Sequence, residues 1–219
     1  MALAHQIVLH RVGWTLIVIG VLDVALMVYC IANNLGYSSS LNIFAVIAGV
    51  YLIRGHLGAV RVVTWFSAFY LSGFLLALVF LFPWLRPLDY WRISFLRSPT
   101  GFLVSALASF VVLGVIAWVY SQLRSPAVVR ARETAGQPGR APISAFLAGG
   151  VLVLVLAVAS HVMLHGEAAQ KALSLAAAQH GAQYRYFVSG MNWSGGHVRA
   201  SLVAYNEQET KDIQVEWGE

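Results

Sequence analysis

The sequence predicts an all-α membrane bundle of five transmembrane helices with a small C-terminal α+β domain outside the cytoplasm. Three observations predict it. Only 11% of the 219 residues are charged, 59% are hydrophobic, and the mean hydropathy is +0.72. Five apolar runs, at about 12–32, 41–58, 60–84, 101–120 and 143–165, fill residues 1–165, close to the roughly 20 residues a spanning helix needs. Residues 166–219 then change character, with apolar and polar residues alternating in three short stretches. Soluble domains carry about 25% charge, so an ordinary cytosolic enzyme is excluded. Disorder needs low hydrophobicity and high charge, and a disulfide scaffold needs more than the single cysteine, Cys30.

The first run exceeds the roughly 7–15 residues of a signal-peptide core and lacks a small-residue cleavage site, so we expect it to stay attached as an anchor. The second is the weakest span. Residues 41–53 are short and Arg54 follows, so the helix is expected to continue past Arg54 with that side chain snorkelling to the interface. Cations set orientation. With the N-terminus inside, Arg11, Arg54, Arg61, Arg124, Arg130, Arg132 and Arg140 lie in the cytoplasm, and only Arg86, Arg92 and Arg97 lie outside among the short loops. Trp14, Trp65, Trp118 and Tyr120 then form an inner aromatic belt, and Tyr29, Tyr37, Trp84, Tyr90 and Trp91 an outer one. The pI of about 9.6 is therefore a topological signal. Nucleic-acid binding would need a basic stripe on a folded face.

Between the spans, residues 33–40 read as a tight turn. Residues 86–100, preceded by Pro83, hold Tyr90, Trp91 and Phe95 among Arg92, Arg97, Pro87 and Pro99, which predicts a short interfacial helix on the outer leaflet. Residues 121–142 read as a flexible basic linker whose four arginines fix topology and only secondarily attract anionic lipid. Small residues recur within the spans, Gly13, Gly20, Ala48 and Gly49 among them, and permit close helix approach.

The tail splits into a helix over 167–180, stopped by Gly181, and three strands separated by turns at 192–196 and 206–210. Tyr184, Tyr186 and Val188 alternate with polar or aromatic neighbours, as do Val198, Ala200, Leu202 and Ala204, and Ile213, Val215 and Trp217. This predicts a three-stranded antiparallel meander with one apolar face. About 54 residues without a disulfide make a marginal domain, so its apolar face needs the helix, the 86–100 segment or a partner.

Four groups of residues carry the functional expectations. Asp23 sits mid-span among Val21, Leu22, Val24 and Ala25, where a carboxylate costs at least about 2.5 kcal/mol. Depth counting suggests Arg54 as its partner, in a pair that pins helix packing; a proton-coupled transporter centred on Asp23 is an alternative. His161 and His165 share one helix face at the i, i+4 spacing of a metal site, without the glutamate of a metallohydrolase. His10 and His56 fall near the inner boundary on different helices, the minimum for a haem between two histidines. Tyr90, Trp91, Phe95, Trp193 and Trp217 offer a docking face. No nucleophile motif, phosphate loop or dinucleotide fingerprint occurs. The expectation is therefore a non-enzymatic accessory, assembly or scaffolding subunit of a larger complex, without a cofactor, multi-pass in a bacterial inner membrane. Its N-terminus is then cytoplasmic and its C-terminus periplasmic, and its partners are the bilayer and other membrane subunits. A metal- or haem-binding membrane protein is the runner-up.

Overall fold

The computed structural model describes residues 2–34 and 42–218, so most of the turn expected at 33–40 lies outside the described residues. The protein is mostly helical, with four long apolar helices and a small three-stranded antiparallel sheet. Helices α1 (Ala2–Ala32), α2 (Asn42–Ile53) and α3 (Leu57–Leu76) come first. A π-helical turn, Ala77–Leu81, joins α3 to α4 (Phe82–Leu85), followed by α5 (Leu88–Arg97), α6 (Pro99–Leu123), α7 (Pro126–Thr134), α8 (Ile143–His165) and α9 (Glu167–His180). Strands β1 (Arg185–Ser194), β2 (His197–Tyr205) and β3 (Thr210–Gly218) close the chain. The π turn lies just ahead of Pro83, whose ring and missing N–H disturb a regular α-helix. Two compact units form, Met1–Ser72 with Val111–Gly149, and Gly73–Phe110 with Gly150–Glu219. That division runs through α3, α6 and α8, whereas the sequence suggested a boundary at residue 165.

In the first unit α1 and α2 pack antiparallel through a pair of glycines. A Cβ on Gly13 would lie 2.7 Å from the Gly49 carbonyl oxygen and 2.7 Å from Ile53 Cγ1, and one on Gly49 would lie 2.6 Å from the Gly13 carbonyl oxygen. Such backbone approach is available only to glycine. Helix α2 ends at Ile53, and the expected continuation past Arg54 does not occur. Gly55 takes φ +76°, its N–H donates to the Leu52 carbonyl at 2.9 Å, and the His56 N–H donates to the Tyr51 carbonyl at 3.1 Å. These two bonds form a Schellman stop. With 12 residues, α2 is about 18 Å long, well short of a ~30 Å hydrocarbon core. The apolar stretches of the other long helices run to 29 residues in α1 (Ala4–Ala32), 29 in α3 counted through α4, 25 in α6 and 23 in α8.

Leu9 and Val12 of α1, Leu52 of α2, Val60 and Val63 of α3, Val119 and Leu123 of α6, and Val128 of α7 form one buried cluster. The start of α8 joins the same unit, with the Trp65 indole N–H donating to Ser144 Oγ at 3.4 Å and Tyr120 edge-on to Phe146 at 5.6 Å. Helix α7 corrects the flexible-linker expectation: Ser125-Pro126 starts a helix, with proline where its missing N–H costs nothing, and Val128 anchors it in the core. Elsewhere the apolar helices turn large side chains outward; Leu22 and Leu154 are each 63% exposed.

The second unit contains the expected helix and meander. Helix α9 ends at Gly181, φ +90°, and the sheet order is β1-β2-β3, antiparallel throughout. Gly195 and Gly196, both at positive φ, make the two-residue hairpin turn that matches strand twist. Ala169, Ala172 and Ala176 of α9 bury Val188, Ala200, Leu202 and Val215. Val203 and Tyr205 are also buried, on the opposite face by strand alternation, so the central strand has two apolar faces where one was expected. Gly166, extended at ψ 177°, separates α9 from α8.

The glycine contact yields the first prediction. Gly13→Ala or Gly49→Ala should lower stability by about 1–3 kcal/mol through overpacking, read as an earlier thermal transition in detergent. Gly114→Ala, where a Cβ meets nothing within 4 Å, should leave the transition unchanged or raise it slightly.

Candidate functional site

The predicted Asp23–Arg54 pair is not brought together. Gly13 faces Gly49 and Ile53, and Gly49 faces Ile17, so every step forward on α1 is a step back on α2. That register places Arg54 near the level of His10, about 20 Å from Asp23 along the axis. Depth counting failed because it set the facing ends of α1 and α2 at one level, whereas the glycine contact fixes a different register. Ion pairs among the described residues join Arg185 to Asp89, Arg199 to Glu216 and Lys211 to Glu209. Asp23 is half-buried.

His161 and His165 do meet, as a stack with ring centroids 4.6 Å apart and planes at 26°. Trp84 stacks on His161 at 5.3 Å. Nearly parallel rings direct their in-plane lone pairs side by side, whereas chelation requires them to converge on one ion. His165 Nδ1 also lies 3.3 Å from the His161 carbonyl oxygen. His10 and His56 are both exposed, and the His56 ring is edge-on to Tyr51 at 5.4 Å. No group of three or more His, Cys, Asp or Glu among the described residues is placed to hold a metal ion.

The aromatic docking set divides in two. The expected helix at 86–100 exists as α5, and it packs on the sheet. Tyr90 is edge-on to Phe187 and Tyr205 at 5.0 and 5.7 Å, Asp89 pairs with Arg185, and Arg86 lies over the Tyr90 and Trp91 rings at 5.7 and 5.5 Å. Trp91 and Phe95 close on Phe102 at 6.0 and 5.5 Å. These three aromatics therefore supply internal support. Trp193 and Trp217 are different: the register pairs Trp193 with Val198 and Val198 with Trp217, so both indoles flank one buried valine in a row across the sheet. Trp193 is 46% exposed, and Lys171 Nζ sits 5.5 Å from the Trp217 ring centroid.

A further constellation lies in the supposed linker. An open pocket of about 510 Å³ is lined by Gly58, Arg61, Val62, Trp65, Phe66 and Gln137. Arg124 Nη1 donates to the Gly139 carbonyl, and Arg132 Nη2 donates to the Pro138 carbonyl at 2.8 Å, which fixes the loop that presents Gln137. Arg132 is only 3% exposed. Burial, then Arg124, then Arg61, lowers its pKa. Its Nε and the Oε1 of Gln137 are buried without a hydrogen-bond partner among the described residues. The available sequence signal was Ser125-Pro126 followed by Val128, a helix start that places Arg132 four residues after a core position.

Comparison with protein-family models, with curated proteins and with solved structures finds no match to this chain.

One cluster in the sheet unit fixes a pH dependence. Lys211 Nζ donates to Glu209 Oε1 at 2.7 Å, and the Tyr184 hydroxyl donates to the same carboxylate. These bonds, from Lys211 first and then Tyr184, hold Glu209 below the usual carboxylate range, and the bond to Glu209 raises Lys211. Tyr205 is raised by burial and then by Asp89. A depressed carboxylate stabilises the fold above about pH 4.3 and loses that contribution as pH falls through its folded value. A raised lysine or tyrosine stabilises below about pH 10 and loses its contribution as pH rises through its folded value. The sheet signal in near-ultraviolet circular dichroism should therefore melt at constant temperature between about pH 5 and 9 and earlier on both sides. Glu209→Gln should flatten the acid limb; an unchanged acid limb would contradict this assignment.

Proposed function

We propose that the chain is a non-enzymatic accessory, assembly or scaffolding subunit of a larger membrane complex, docking a partner subunit through the sheet of its second unit. The Trp193–Val198–Trp217 row carries this reading. Large aromatics anchored at a packed position yet open on one side are the side chains that dominate binding at interfaces. The sheet beneath them is held from both faces, by α9 and by Tyr90 of α5, so the row is presented without an ordering cost on binding.

In this reading the membrane is a bacterial inner membrane, the N-terminus is cytoplasmic and the C-terminus periplasmic. The arginine distribution supports that orientation. So does the convergence of the start of α1, the end of α2, the start of α3 and the end of α6 on one cluster: α2, though short, returns the chain to the side on which it began. Helices α1, α2, α3, α6 and α8 then alternate in direction, and the odd number places the two termini on opposite faces.

Two measurements test this. A photo-crosslinking residue at Trp193 should capture a stoichiometric membrane partner in native membranes, and Trp193→Ala should weaken its co-purification by about 30-fold, the equivalent of ~2 kcal/mol. A protein that leaves the membrane alone and monodisperse would overturn the subunit reading. A reporter fused after Glu219 that is active only outside the cytoplasm should be active; silence there, with activity of a cytoplasmic reporter, would overturn the orientation.

A further inference from the structure

We propose that the pocket beside Arg61 binds the headgroup of an anionic phospholipid, of the phosphatidylglycerol type, with its acyl chains lying along α3; this rests on the membrane reading above. Arg61 lines the pocket, Arg124 and Arg132 hold the Gly139 and Pro138 carbonyls beside Gln137, and both Arg61 and Arg124 act on Arg132. Among the described residues no carboxylate pairs with them: Glu133, on the same helix as Arg132, forms no ion pair there. A cluster of like charges that includes a 3% exposed guanidinium is costly unless an anion neutralises it. Guanidinium groups match phosphate oxygens with paired, charge-assisted hydrogen bonds.

The rest of the pocket makes the ligand amphipathic. Gly58, Arg61, Val62, Trp65 and Phe66 recur at the spacing of one helix face. Val62 and Phe66 are 53% and 46% exposed, so an apolar track leads away from Arg61 along α3. Gly58 presents no side chain beside Arg61, and a Cβ there would meet nothing within 4 Å. Free phosphate would leave that track unused. Gln137 Oε1, buried without a partner, is an acceptor suited to a headgroup hydroxyl. A zwitterionic headgroup would bring an ammonium beside the Arg61 guanidinium, with Arg124 and Arg132 behind the loop, which disfavours it.

The test uses the whole protein in a zwitterionic detergent, titrated separately with phosphatidylglycerol, phosphatidylcholine and inorganic phosphate, with thermal unfolding as the readout. Phosphatidylglycerol should raise the transition saturably, and the other two should not. Arg61→Gln and, independently, Gln137→Leu should each weaken the apparent affinity about 5–10-fold, with Arg61→Lys retaining part of it. The loop variant Gln137→Leu covers the case in which Arg61→Gln does not fold. An equal shift with phosphatidylcholine, a full shift with inorganic phosphate alone, or unchanged affinity in the variants would each overturn the site. Alkaline extraction separates the two readings. Retention in the membrane pellet without phosphatidylglycerol selectivity sinks the lipid site alone, and release into the supernatant sinks the membrane reading with it.

Discussion

The contact between Gly13 and Gly49 sets the arrangement of the first unit. Neither position has room for a Cβ, so α1 and α2 approach at backbone distance and their register is fixed to within a residue. That register brings Leu52 to Leu9 and Val12 and starts α3 beside them, and the same cluster receives the end of α6 and the valine of α7. The stop at Gly55 then matters as much as the crossing. A helix running on past Arg54 would carry α3 away from α1, and the cluster would lose its centre.

The second unit solves a different problem. A three-stranded sheet of this size buries too little surface on one face to stand alone. Here its central strand is covered twice, by the alanine face of α9 and, on the other side, by Tyr90 of α5. The Asp89–Arg185 pair is exposed and contributes little energy by itself, but it fixes which face of α5 meets the sheet. Of the sources of support the sequence allowed, the 167–180 helix, the 86–100 segment or a partner, the first two are supplied from within the chain; Trp217 packs against the α9 cluster while Trp193 stays 46% exposed.

Local patterns were legible in the sequence and non-local packing was not. Alternation in Val198, Ala200, Leu202 and Ala204 and the glycines at 181 and 195–196 identified the meander, because period-two burial and positive φ are local properties. The amphipathic α5 was found as a helix, but its surroundings were read as a lipid surface, since tyrosine and tryptophan serve a membrane interface and a protein core equally well. Helix α7 was hidden by proline, glycine and arginine composition, although Ser125-Pro126 announces a helix start. The Asp23–Arg54 pairing failed on register: depth from a presumed boundary does not determine how two helices align, whereas a glycine contact does. The arginine cluster shares that cause, being assembled from α3, the turn after α6, and α7.

Distances between spin labels test the antiparallel register most directly. With Cys30→Ser as background, labels at His10 and Arg54 should be close, because the Gly13–Gly49 crossing sets those residues at nearly the same level. Labels at Leu26 and Arg54 should be farther apart by about 10 Å or more, from the rise of ~1.5 Å per residue along α1. The reverse order, with Leu26 nearer to Arg54 than His10 is, would show that α2 does not fold back along α1 and would contradict the arrangement of the whole first unit.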